Sequence, residues 1–370
     1  MNPAGIFIEA RANGLPFWDS EAEEELCCVG IRDETDDVRT FMFTAQRPSR
    51  FFYWPGQFLT FDFLIDGARV NRCYTIAATP TRPHQITITV KRKPGGVVSP
   101  WLHATMRPGS RVRAVGPLGD FSFVAHPAEK YLFLSGGSGI TPLMSMARAH
   151  HDLGHDADIL FVHFARSPAD IIFRRELDLM AHHMPRLRVV QVCETDSPHE
   201  RWGGMRGRVN APMLALIAPD LMDREVFDCG PEPFMRAVRG GLDALGFDMS
   251  RYHEESFDFG TLAEAEPAVA AASMAAVADA ATGAAFSVEF IKSRRTIRVP
   301  ADRHVLEAAR LEGLRLPSSC TKGLCGTCKS RLISGKVEMH HQGGIRQREI
   351  DQGMILICCS KPLTDLVIER

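Results

Sequence analysis

Residues Cys320–Ser330 read CTKGLCGTCKS, with three cysteines inside nine positions. Glycine and threonine fill the gaps, and neither a helical nor a strand period runs through them. Four chemistries crowd sulfur in this way: a disulfide staple, a zinc site, a redox dithiol or an iron–sulfur cluster.

The rest of the chain narrows the choice. It has 370 residues, 45% hydrophobic and 24% charged, which suits a globular protein of two or three domains. No apolar run reaches bilayer length, and MNPAGIFIEARANG at the start lacks the basic-then-apolar pattern of an export signal. A cytoplasmic location without membrane attachment is therefore expected, where structural disulfides are rare. Zinc sites take two short ligand pairs, and a dithiol motif would leave Cys320 idle. Cys320, Cys325 and Cys328 are separated by four and then two residues, and Cys358 follows after 29 more. Four-then-two with a distant fourth cysteine is the plant-type [2Fe–2S] spacing. Gly323, Gly326 and Thr327 leave room for backbone to approach a cluster. For the fourth ligand, LICCSKP resembles the ending of plant-type ferredoxins. Counting back from Pro362 gives Cys358, and leaves Cys359 as a small buried residue.

Upstream, Thr261–Ala285 is dominated by alanine, lacks aromatics and is broken by Pro267 and Gly283, as a tether would be. Before residue 126, runs such as LTFDFLI and ITITVKR alternate between apolar and polar, the period of antiparallel strands. Beyond it, apolar strands (KYLFLSG, ADILFVHFA, RLRVVQVCE, EVFDCG) alternate with helical stretches such as RRELDLMAHH, implying a parallel sheet covered on both faces. After the tether, AAFSVEFIKSRRTIRVP reads as a hairpin and VLEAARLEG as a helix. The expected organisation is an extension over 1–22, an antiparallel β-barrel over 23–125 and an α/β parallel-sheet domain over 126–260. A linker over 261–285 and an α+β domain of β-grasp type over 286–370 follow.

Several stretches resemble, in order, the motifs of the ferredoxin–NADP reductase superfamily. RCYT at Arg72, Cys73, Tyr74 and Thr75 is similar to its flavin signature. The resemblance implies that the arginine meets flavin phosphate, the tyrosine covers the ring and the threonine lies near the reactive nitrogen. PGQF precedes it, and KPGGVVS follows with Gly96, Val97, Val98 and Ser99 in the pyrophosphate motif, where a helix begins. GPLGDF at Gly116–Phe121 comes next. FAD is implied, although related reductases with this domain order use FMN. LSGGSGITP, with Gly136, Gly137, Ser138, Gly139, Thr141 and Pro142, resembles the nicotinamide-nucleotide motif between a strand and a helix. DCGPEPF resembles the family motif whose cysteine lies beside the nicotinamide, which implies that role for Cys229, with Gly230 and Pro231 after it. YHEESFDFG resembles the module's ending, bringing Glu255 and Phe257 toward the flavin. Thr75, Cys229 and Glu255 are thus the expected catalytic set. Arg166 and Ser167 match part of an NADPH-phosphate set, but Ile172 and Phe173 supply no phenol, so NADH is expected.

Flavin, nicotinamide and ferredoxin modules in this order resemble reductase components of Rieske-type oxygenases, most of all those serving demethylases of quaternary amines such as glycine betaine. The implied activity is NADH-dependent electron transfer through FAD and a [2Fe–2S] cluster to an oxygenase component. Neither a mononuclear iron triad nor a Rieske C-x-H motif is found in the chain. Reduction of hybrid-cluster protein, a general NADH diaphorase and a slow redox sensor are the alternatives. Nucleic acid is not an expected partner, because basic residues do not interleave with aromatics. Residues 286–370 carry 15 Lys/Arg against 9 Asp/Glu, while the remainder is acidic, with 28 against 36. Lys322 and Lys329 beside the cysteine loop would then offer a basic surface to an acidic acceptor.

Overall fold

The computed structural model describes residues 14–20, 24–255, 285–314, 316, 323, 328–341, 345 and 347–370. Phe257, Cys320, Lys322 and Cys325 lie outside the described residues, as does the expected tether up to residue 284. The chain divides into two compact units, Met1–Asp258 and Phe259–Arg370.

The first unit begins with strands β1 (Glu24–Thr35), β2 (Val38–Ala45), β3 (Phe58–Ile65), β4 (Ala68–Thr75) and β5 (Ile86–Lys91), helix α1 (Val98–Thr105) and strand β6 (Arg111–Leu118). They form one antiparallel sheet in the order β4-β3-β6-β1-β2-β5. The period-two pattern explains it: Phe41 and Phe43, Phe61 and Phe63, Ile86 and Ile88 turn inward, with Phe61 stacked on Phe63. Just past edge strand β4, Ala77 N–H donates to Thr87 O of the opposite edge strand at 2.8 Å, drawing the edges together as a barrel requires.

The sheet that follows is built differently. Its elements are β7 (Lys130–Gly136), α2 (Ile140–Leu153), β8 (Asp158–Ala165), α3 (Arg174–His183), β9 (Leu187–Cys193), β10 (Met205–Arg206), α4 (Ala211–Ile217), β11 (Glu225–Cys229), α5 (Glu232–Ala244) and β12 (Tyr252–Glu255). All six strands are parallel, in the order β10-β9-β8-β7-β11-β12. Continuous apolar runs such as DILFVHFA bury both faces. Phe133, Phe161 and Phe227 meet α2 and α3 on one side, while Leu132, Leu160 and Val226 meet α4 and α5 on the other. Helix α2 is buried all round from Ile140 to His150, because Ala77, Phe121 and Phe123 from the antiparallel half join its core.

The second unit contains β13 (Ala285–Phe290), β14 (Arg295–Pro300), α6 (Val305–Leu311), β15 (Lys329–Ser334), β16 (Val337–Met339), α7 (Gln347–Asp351), β17 (Met354–Leu356), β18 (Ser360–Pro362) and β19 (Leu366–Glu369). Its five-stranded sheet runs β14-β13-β19-β15-β17, with β13 and β19 parallel, and β16 pairs with β18. The expected hairpin and helix are both present. A strand, β15, starts immediately after Cys328, where the sequence showed only loop character.

Candidate functional site

Strand β4 carries the flavin signature. Alternation makes Cys73 and Thr75 buried while Arg72 and Tyr74 stay half-buried. Arg72 Nη1 donates to Asn71 O at 2.7 Å, and Cys73 Sγ lies 3.3 Å from Thr60 Oγ1 across the β3 ladder. The Tyr74 ring sits edge-on against Phe61 and Phe63, with centroids 6.0 and 6.3 Å away. Burial raises its pKa, so the phenol stays neutral. Thr75 Oγ1 is buried and has no hydrogen-bond partner.

The PGQF and GPLGDF stretches close around the end of this strand. Gln57 Nε2 donates to Gly119 O at 2.9 Å. A Cβ on Gly56 would lie 2.0 Å from Phe121 O, so the two loops touch backbone to backbone. At Gly119, φ is +105°, and a Cβ there would lie 3.0 Å from the Phe58 ring and 3.7 Å from Glu255 Oε1. Phe58 pairs with Thr75 across the sheet. Glu255 thus reaches from β12 to the flavin half; it is not a solvated charge at a helix end. Its Oε2 is out of solvent and unpartnered, and burial above all, with Cys73 and Asp120 adding to it, raises its pKa far above the carboxylate range.

The second half of the site is at the carboxyl ends of β7 and β11. The chain leaves β7 toward β8, β9 and β10 and returns on the other side as β11, making a topological switch point where open α/β sheets bind ligands. Ser135 pairs with Cys229 in register. Gly136 ends β7, Gly137–Gly139 form a 3-10 turn, and α2 starts at Ile140, so Thr141 and Pro142 occupy its first turn. Thr141 Oγ1 donates to Ser138 O at 3.2 Å. A Cβ on Gly139 would lie 2.2 Å from Cys229 O, and one on Gly230 would lie 2.6 Å from Phe234. The glycines therefore let the two loops pack together as well as face a ligand. Cys229 is buried, and its thiol pKa is driven well above the usual value by burial, so it is a neutral group. Pro231 precedes α5, with Glu232 in its first turn.

Sequence reasoning missed the residues that join these halves. Ser145 Oγ on α2 donates to Ala78 O at 2.6 Å, and Arg148 Nη1 donates to Ala77 O while its guanidinium grips Glu176 at 2.7 Å. Both bonds tie the segment after Thr75 to the helix that starts at the glycine loop. Burying Arg148 is tolerable because every bond has a strong partner. The sequence held no distinguishing signal for them, since the same helix also carries Thr141, His150, His151 and Asp152.

Arg166 and Ser167 follow β8. Both bind Asp170, with the Ser167 hydroxyl donating at 2.7 Å, and Arg166 also approaches Asp37 at 3.4 Å. These partners hold the Asp170 carboxyl below its usual range despite the opposing effect of burial. Ile172 and Phe173 are buried, with Arg148 over the Phe173 ring at 4.7 Å. At the pyrophosphate motif, Gly96 and Val97 precede α1, Val98 opens it, and Ser99 Oγ accepts from Lys93 N at 3.0 Å.

In the second unit, Cys328 and Cys358 are buried in the core. Cys359 Sγ donates to Leu356 O at 3.5 Å, and a Cβ on Gly323 would lie 2.7 Å from that sulfur. Cys359 is buried to the same degree as Cys358, with its sulfur against Gly323 of the cysteine loop. Lys329 is in a salt bridge with Glu349 and is partly buried, so it is not an open docking charge.

These features define a flavin–nicotinamide oxidoreductase module followed by a cluster-binding domain. Residues 29–123 match the oxidoreductase FAD-binding domain family, 133–240 the oxidoreductase NAD-binding domain family and 289–363 the 2Fe-2S iron-sulfur cluster binding domain family. The glycine betaine monooxygenase reductase subunit of Pseudomonas aeruginosa is 46% identical over 343 residues, 92% of this chain and 94% of that protein. The stachydrine N-demethylase reductase subunit of Rhizobium meliloti is 44% identical, covering 96% and 98% respectively. The crystal structure of phthalate dioxygenase reductase shares the fold, with a TM-score of 0.56 at 22% identity, covering 94% of this chain and 98% of that one. The chain belongs to the family of oxygenase reductase subunits that join FAD-binding, NAD-binding and [2Fe–2S] domains. It is an NADH-dependent flavin and iron–sulfur oxidoreductase serving an oxygenase component. The donors fit those groups. Thr75 Oγ1 and Glu255 Oε2 are orphaned buried atoms next to the flavin signature, and a helix N-terminus faces the switch point. Cys328, Cys358 and Cys359 are three thiols brought into one core. Among the described residues, no helix is long and apolar enough to cross a membrane.

Proposed function

We propose that this reductase supplies a Rieske-type oxygenase that demethylates a quaternary ammonium carboxylate such as glycine betaine. The two relatives that are 46% and 44% identical over more than nine-tenths of the chain support this substrate class, since both are named for such compounds. The buried, unpartnered Thr75 Oγ1, beside the loop that Glu255 reaches, carries the reading of the site.

When bound, flavin accepts hydride from NADH and the [2Fe–2S] cluster relays single electrons. In this proposal Arg72 holds flavin phosphate, Tyr74 covers the ring and Cys73 packs beneath the strand. Gly96, Val97, Val98 and Ser99 present the start of α1 to the pyrophosphate. Gly136 through Thr141 and Pro142 present the start of α2 to the nicotinamide dinucleotide. Cys229, Gly230 and Pro231 shape the wall where nicotinamide sits, and Phe257 shields the flavin. Thr75 donates or accepts one hydrogen bond, and Glu255, protonated by burial, holds a proton in a dry site. Asp170, already ionised, is placed to take a ribose hydroxyl and to repel the extra phosphate of NADPH, while Arg166 stays engaged with it. Cys320, Cys325, Cys328 and Cys358 ligate the cluster.

Segments 23–125, 126–260 and 286–370 are the proposed domain limits, with 1–22 as an extension and 261–285 as the tether. The matched stretches fall inside them. A cytoplasmic location follows from the supply of NADH and the need for reduced thiols. The test is reconstitution with a betaine-demethylating oxygenase: NADH-dependent loss of glycine betaine supports the proposal. Reduction of hybrid-cluster protein with no betaine turnover would reject it.

A further inference from the structure

Along the face of the parallel sheet that carries Cys229 and Glu255, a second polar group lies two strand positions back. Cys229 pairs with Glu255 and Phe227 with His253, so Glu225, Phe227 and Cys229 follow one another on β11 while His253 and Glu255 do so on β12. His126, from the segment joining the two halves of the unit, stacks on His253 with centroids 3.6 Å apart and 22° between planes. His253 Nε2 lies 2.6 Å from Glu225 Oε1. One ligand atom from each of His126, Glu225 and His253 lies within 4.8 Å of the others. The Phe227 ring, 4.9 Å from His253 and 6.1 Å from His126, keeps one flank dry.

We propose that His126, Glu225 and His253 form a binding site for a divalent transition ion, with zinc as the fitting cation. Two imidazoles and one carboxylate are the ligand set of open zinc sites, leaving a fourth position for water. Nitrogen donors argue against magnesium and calcium, which take oxygen. Arg251 Nε approaches Glu225 Oε2 at 3.4 Å, leaving Oε1 for the ion. Binding replaces the His253–Glu225 hydrogen bond and turns one ring about its Cβ–Cγ bond, so that each nitrogen meets the ion in its own plane. The occupied site clips the inter-domain segment to β12, the strand whose end carries Glu255.

The test is calorimetric titration of zinc into the full chain carrying its flavin and cluster, compared with His126→Asn and His253→Asn. The wild type should take up one more zinc per chain than either variant, or bind that ion about tenfold or more tightly. X-ray absorption of the zinc-loaded wild type, which requires no variant, should show nitrogen and oxygen neighbours at about 2.0–2.1 Å with imidazole scattering. No zinc uptake, equal uptake and affinity in all three proteins, or a sulfur shell would overturn the proposal.

Discussion

In the proposed reading, the two sheets of the first unit hold their ligands by opposite means. The antiparallel sheet offers side chains from both faces of one strand, Arg72 and Tyr74 from one and Thr75 from the other, on a ladder whose hydrogen bonds do not depend on them. The parallel sheet offers backbone at strand ends, where Gly139 and Gly230 let two loops approach closely enough to touch. In the first, recognition and folding are separable; in the second, the same atoms do both.

Gly139→Ala tests that difference most severely. The added carbon meets Cys229 O, a backbone atom that cannot swing away. NADH reduction of the flavin should fall by about 100-fold or more, with a lower melting temperature, because misplacement at a reacting centre is costly. Stopped-flow absorbance and calorimetry read both effects. An alanine variant with normal rate and stability would show that the loops have room to spare.

Arg72→Ala should spare the fold and weaken flavin binding by about 10- to 100-fold, the loss of a charge-assisted hydrogen bond at about 1.5–3 kcal/mol. Flavin retained through gel filtration at wild-type occupancy would remove Arg72 from the site. Cys229→Ala should keep both prosthetic groups and slow flavin reduction by about tenfold, through lost orientation alone.

A milder effect concerns Asp228, the neighbour of Cys229 on the opposite face. Burial pushes its pKa up to about 8 from 3.8, although Tyr252 donates to Oδ2 at 2.8 Å. A raised carboxyl pKa contributes stability fully present below about pH 4 and lost as pH rises through about 8. Asp228→Asn should therefore melt close to the wild type near pH 4 and progressively above it toward pH 8.5. A constant gap across this range would mean that the carboxyl ionises normally. Smallest of all is Cys359→Ser in the second unit, which should leave the cluster's visible spectrum unchanged while Cys358→Ser abolishes it. The reverse result would exchange the two assignments.

Much of this protein was legible in one dimension. Cluster chemistry depends on how many thiols a short loop can wrap, so four-then-two spacing implied it before any fold was known. The period-two runs of the antiparallel sheet, the apolar runs of the parallel one and the terminal hairpin depend on local pattern and were equally readable. The glycine motifs marked where phosphate should lie, because a loop before a helix is a local object.

Other features existed only once distant segments met. Nothing near Glu255 in the chain shows that its carboxyl is dry; that follows from Gly119 and Cys73 arriving from another domain. Ser145 and Arg148 look like ordinary helix residues until Ala77 and Ala78 present their carbonyls. His126 and His253, 127 positions apart, become neighbours only because β12 pairs with β11 while the inter-domain segment lies over Phe227. Desolvation and convergence are properties of space. The chain encodes them through its whole fold, and no window of sequence contains them.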